Sequence, residues 1–103
     1  SVFVRTEEKV TVKEVIKAFE DFAPLKSHKL PTAPDRPVIH WPDLEAPQPR
    51  LHRNSGGGMS VSIGRLTQIS EKQIRFVALV HNTIRGAAGC ALLNAESYDL
   101  LVG

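Results

Sequence analysis

The sequence predicts an α/β (α+β) domain built on a mixed or antiparallel sheet with helices on one face. Three observations predict it. Residues 74–80 are a β-branched and aliphatic run, interrupted by Arg75, that passes at His81-Asn82-Thr83 into a helical segment. Met59, Val61 and Ile63 alternate with Ser60, Ser62 and Gly64, the period of a strand. Val12, Val15, Ile16, Phe19 and Phe22 recur at the spacings of one helical face.

The first element is a short strand over Ser1–Arg5, with one buried face. Thr11 and Glu14 form a capping-box pattern and Val10 with Val15 a hydrophobic staple, so a helix starts at Thr11. Lys13, Lys17, Glu20 and Asp21 give it a solvated side, and Pro24 ends it. Residues 24–37 and 42–49 are Pro-rich loops flanking a short edge strand, Val38–Trp41. Two such loops in so small a domain are either a subunit interface or exposed arms. Gly56-Gly57-Gly58 follows Arg50, His52 and Arg53. Glycines beside arginines suggest a phosphate loop, but no Gly-Lys-Ser/Thr and no helix follow, so a turn or close packing is expected. The strand closing at Arg65-Leu66 is joined through a polar connection, Thr67–Lys72, to the strand Ile74–Val80, its antiparallel neighbour. The nearly continuous apolar character of the latter, Arg75 apart, suits a strand covered on both faces.

At 103 residues the chain is one domain at most. Thirteen basic and eleven acidic residues are scattered, which supports neither a nucleic-acid nor a membrane-surface partner. A single cysteine excludes an internal disulfide and favours a reducing compartment. No apolar run approaches the roughly 18–20 residues of a membrane span. The chain opens on strand-like residues without Met, as a piece of a longer protein or a processed mature chain would.

The chemistry concentrates after the last strand. Asn82 or Thr83 is positioned to cap the following helix. Gly86-Ala87-Ala88-Gly89 forgoes about 1 kcal/mol of helix propensity at each glycine, so something comes close to this helix. That is either a packed sheet or a ligand, because the carboxyl end of a buried strand is a favoured ligand position. Asn82 is the polar side chain there, and its amide both donates and accepts, which suits a carboxamide. His28, His40, His52 and His81 stand at no metal-ligand spacing with one another or with Cys90. Cys90 lies past the first helical turn among small apolar residues and reads as a structural, buried thiol. No set of residues makes a complete active site.

Val80-His81-Asn82-Thr83-Ile84-Arg85-Gly86-Ala87-Ala88-Gly89, with Leu92–Glu96, closely resembles the C-terminal segment of aspartate-semialdehyde dehydrogenases of the archaeal and fungal type. Ala46–Arg53, Gly57–Arg65, Ser1–Arg5 and the helix after them are similar to the same family. The resemblance implies a catalytic and dimerisation domain like that of glyceraldehyde-3-phosphate dehydrogenase. Residues 1–103 would form part of it, and 82–103 would be the C-terminal helix that packs on an NADP-binding domain lying elsewhere. It implies a cytoplasmic oxidoreductase of amino-acid biosynthesis (lysine, threonine, methionine), a homodimer or homotetramer. Such an enzyme interconverts L-aspartyl-4-phosphate and L-aspartate 4-semialdehyde with NADP as cofactor. The family's nucleophilic Cys, acid/base His and substrate Arg match no residue here, so the chain alone is expected to be inactive. The one position that matches a functional residue is Asn82, where the family holds the nicotinamide carboxamide. Malonyl-CoA reductases resemble the same family and are the rival within it. A non-catalytic dimerisation or interaction domain is the rival outside it.

Overall fold

The computed structural model describes residues 1–23 and 30–102. Four strands make one sheet in the order β1-β4-β3-β2: β1 (Val2–Arg5), β2 (Val38–His40), β3 (Val61–Ser70) and β4 (Gln73–Leu79). β3 is antiparallel to β4, β4 to β1, and β2 runs parallel to β3, so the sheet is mixed. Three α-helices accompany it: α1 (Val12–Asp21), the short α2 (Pro49–His52) and α3 (Gly89–Val102).

α1 begins as its capping pattern predicts. The Glu14 N–H donates to Thr11 Oγ1 at 3.2 Å, and the Thr11 hydroxyl lies 3.1 Å from Glu14 Oε1. Val12, Val15, Ile16 and Phe19 are the less exposed residues of the helix, and the Phe19 ring meets Phe76 of β4 edge-to-face at 5.4 Å. Phe22 departs from expectation. The helix stops at Asp21, Phe22 caps it with an N–H to the Phe19 carbonyl, and its side chain is exposed. Pro24, named as the helix stop, lies outside the described residues, as does His28.

Residues directly opposite in the ladder share a face. Ile74 and Phe76 of β4 therefore face α1 together with Val4 and Val2 of β1, and Ile63 of β3 joins them opposite Ala78. Ile63 and Ile74 are the buried centre of this layer, with Ala46, Met59 and Leu93 buried elsewhere. The expected full cover of β4 on both faces is not found: Ile74 is buried, but Phe76, Val77 and Leu79 are half-buried and Ala78 is exposed. All four residues of β1 are exposed as well, Phe3 most of all at 70%. β1 is an edge strand of the sheet.

β3 runs longer than its hydrophobic alternation suggests. It continues through Thr67–Ser70, read as a connection, and turns at Glu71-Lys72. A register shift between Gly64 and Thr67, with Arg65 at φ 53°, bends the strand and lets pairing resume. The serines alternating with Met59, Val61 and Ile63 are also buried, because their side of the strand is covered too. Ala46-Pro47 crosses there so closely that a Cβ on Gly64 would collide with the Ala46 carbonyl.

The two Pro-rich loops are held by their own chain where described. Thr32 donates its N–H to Glu96 of α3 at 2.8 Å. Ala46 and Pro47 are buried, and Gln48 N–H donates to Nδ1 of the buried His52, whose ring lies 4.4 Å from Trp41. Pro49 opens α2 at a position where its missing N–H is harmless. Gly56, Gly57 and Gly58 all take positive φ (62°, 66°, 83°), so the glycine run is a turn.

Candidate functional site

β4 ends at Leu79, and the chain passes through Val80–Thr83 into a single π-helical turn, Ile84–Ala88, before α3. The wide turn is set by bonds from Gly86 N–H to the His81 carbonyl (3.0 Å) and from Ala88 N–H to the Thr83 carbonyl (3.3 Å), each spanning five residues. The first of these bonds takes the Gly86 N–H, the donor that a Thr83 cap would otherwise accept from. Neither Asn82 nor Thr83 caps the helix, contrary to expectation. Thr83 makes no cap bond, and its hydroxyl lies 3.3 Å from His81 Nδ1.

Asn82 is consequently uncommitted. Its side chain is exposed, and among the described residues its amide makes no hydrogen bond. Its Oδ1 would lie 3.6 Å from a Cβ built on Gly86, an ordinary contact, so Gly86 borders the amide without being required by it. Gly89 serves something else. A Cβ there would collide with Met59 Sδ and stand 2.8 Å from the Ile84 carbonyl. The close approach expected of the small-residue helix is therefore divided: Gly89 packs on Met59, and Gly86 borders Asn82.

Asn82 lines a cleft of about 410 Å3 with His81, Val80 and Leu79 from the end of β4 and Pro49, Arg53 and Asn54 from α2 and its exit. Small-molecule pockets span roughly 300–1,000 Å3, so this one suits a single ring and its attached groups. Three of its seven lining residues are apolar, and the other four are two carboxamides, an imidazole and a guanidinium. A carboxamide suits a neutral amide ligand, donating and accepting in one plane.

The remaining candidates lie apart from this cleft. Cys90 is the second residue of α3 and is half-buried rather than buried as expected. His52 is spent on Gln48 and Trp41, and His40 sits in β2. Among the described residues no three His, Cys, Asp or Glu side chains gather as a metal site would need. A larger cleft of about 520 Å3, between Val12 and Ile16 of α1 and the Trp41–Leu44 and Arg65–Thr67 segments, contains no part of the Asn82 turn. Arg53, Asn54 and His81 were not singled out as ligand contacts from sequence. The arginine beside the glycine run was the available signal, though it led to the glycines rather than to its own side chain.

No family model matches the chain. Individual relatives do. An aspartate-semialdehyde dehydrogenase of Archaeoglobus fulgidus is 43% identical over 96 residues, covering 93% of this chain and 27% of the relative. A malonyl CoA reductase (NADP) of Metallosphaera sedula is also 43% identical, over 97 residues, covering 91% of this chain and 27% of the relative. Among solved structures, aspartate semialdehyde dehydrogenase with NADP from Candida albicans superposes with a TM-score of 0.76 at 33% identity, over 91% of this chain and 26% of that one. The chain thus spans about a quarter of the length of the curated relatives it matches.

Proposed function

We propose a function from one premise: the chain belongs to the family of aspartate-semialdehyde dehydrogenases. In the complete protein, this stretch positions the nicotinamide end of NADP for reduction of L-aspartyl-4-phosphate to L-aspartate 4-semialdehyde, with release of phosphate. The observation that carries the reading is Asn82, exposed and unbonded in a cleft beyond the end of β4. NADPH supplies the hydride. The work of Asn82 would be orientation, since its amide can donate one hydrogen bond to the carboxamide oxygen and accept one from its nitrogen. Two bonds in one plane fix which ring face meets the substrate, and such positioning lowers the entropic part of a barrier. Leu79, Val80 and Pro49 would supply the apolar wall against which the ring lies.

The nucleophile, acid/base and dinucleotide fold would come from the rest of the protein. The isolated 103-residue chain is accordingly inactive, and NADPH-dependent turnover by it alone would refute the reading. In the complete protein, Asn82→Ala is expected to weaken NADPH binding and lower kcat roughly tenfold, the loss of one or two net hydrogen bonds. Unchanged values for both would remove Asn82 from the site.

Residues 82–103 would pack against the NADP-binding domain. α3 supports this, because Leu92, Tyr98, Leu100, Leu101 and Val102 are exposed and spread around the helix rather than along one stripe. A helix apolar on every side belongs inside a larger protein. No helix among the described residues is long and apolar enough to cross a membrane. A cytoplasmic homodimer or homotetramer is the assembly this reading carries.

The equal identity to a malonyl CoA reductase favours one second reading, in which the same site serves a CoA thioester. Assaying the complete protein with L-aspartate 4-semialdehyde plus phosphate and with malonyl-CoA separates the two. A stand-alone interaction domain would bind NADP under neither condition.

A further inference from the structure

The Asn82 cleft has a second polar wall, and we propose that Arg53 there holds an anionic oxygen of the phosphate type. The proposal rests on the reading of Asn82 as the carboxamide contact. Arg53 is the residue that follows α2, and its N–H bonds to the Pro49 carbonyl at 3.1 Å, which fixes where its side chain leaves the backbone. The side chain is exposed and lines the cleft.

Its charge is unanswered. No residue lining the cleft is acidic, and among the described residues the ion pair present is Lys9–Glu71, at 3.5 Å. A guanidinium without a carboxylate partner keeps its fork of N–H donors for a ligand, and that fork matches phosphate bidentately. Asn54 and His81 add polar groups that carry no negative charge. The cleft therefore sorts a ligand by charge: a neutral amide at Asn82, an oxyanion at Arg53, and an apolar ring against Leu79, Val80 and Pro49. The glycine run Gly56–Gly58 does not line this cleft, and the Gly58 N–H is bonded to the Asn54 carbonyl, so in this reading it is the arginine, not the glycine N–H groups, that meets the anion. The shared chemistry is a phosphate oxyanion, from the dinucleotide itself or from a separately bound phosphate.

The test uses the complete protein with Arg53→Gln, Arg53→Lys and, outside the cleft, Arg50→Gln. NADPH affinity is read by fluorescence titration and inorganic phosphate affinity by calorimetry. Arg53→Gln is expected to weaken one of the two roughly tenfold or more, as loss of a charged hydrogen bond does. Arg53→Lys should recover part of that loss, and Arg50→Gln should change neither. Loss confined to NADPH assigns the oxyanion to the cofactor, and loss confined to inorganic phosphate assigns it to a separate anion. Parent-like values for both ligands in Arg53→Gln overturn the proposal. Should that variant not fold, parent-like values in Arg53→Lys, which lacks the bidentate fork, overturn it instead. Asn82→Ala separates the two ideas. Weaker NADPH binding in Asn82→Ala beside parent-like NADPH and phosphate affinities in both Arg53 variants sinks only the anion site. A phosphate loss in Arg53→Gln beside a parent-like Asn82→Ala sinks only the carboxamide contact.

Discussion

Gly86 and Gly89 stand three residues apart and live in opposite surroundings. Gly89 is buried, closed in by Met59 and the Ile84 carbonyl, at the corner where Leu93 also lies buried. Gly86 is exposed, with the His81 carbonyl and Asn82 Oδ1 as its nearest outside atoms at 3.5 and 3.6 Å from a built Cβ. One glycine is required by packing already complete within these residues. The other borders a polar group that these residues leave unpaired. A small-residue stripe in a sequence is therefore not one feature, and its members need separate explanations.

The contrast between a closed core and an open site can be broken in four ways. Ile74→Ala should have the largest effect. It empties a fully enclosed position and should cost about 2–5 kcal/mol, read from the denaturant midpoint of the complete protein. Gly89→Val comes next. Its side chain must displace Met59 or the backbone at Ile84, an overpacking of about 1–3 kcal/mol in the same measurement. Thr11→Ala removes the α1 cap for about 1 kcal/mol, and Thr11→Ser should restore most of it.

Gly86→Ala should have the smallest effect on stability. Its methyl meets only ordinary contacts, and Ala is favoured over Gly in a helix by up to about 1 kcal/mol, so the midpoint should hold or rise. NADPH affinity should change little, because the methyl would stand 3.6 Å from Asn82 Oδ1, an ordinary contact. A Gly86→Ala protein that loses stability as Gly89→Val does would erase the distinction between the two glycines.

What was legible in the sequence follows the same division. Local signals were sufficient where one residue acts on its neighbours: the Thr11–Glu14 cap, the glycine turn and the antiparallel β3–β4 pair. The sequence also pointed to Asn82, which the structure leaves exposed and without a hydrogen bond among the described residues. Features that depend on distant partners were not legible. Burial of Ser60 and Ser62 comes from cover on the second side of β3, which hydrophobic alternation does not report. The missing helix cap comes from backbone bonds of the π-type turn. The exposure of β1 and the incomplete cover of β4 reflect what lies above the sheet, not the residues within it. Arg53 reaches the Asn82 cleft only because α2 lies beside the end of β4.

The strand order has a kinetic consequence. β3 and β4 meet across a two-residue turn and can pair as soon as both exist. β1 must wait, because Arg5 lies opposite Gln73, and closing so long a loop is a slow, non-local event. During synthesis β1 therefore emerges early and stays without its partner until β4 follows. Throughout that interval Val2, Phe3 and Val4 form an unpaired apolar strand open to any other edge. Within this stretch the interval of exposure is thus set by β1, and shortening the time between the synthesis of β1 and β4 would reduce it.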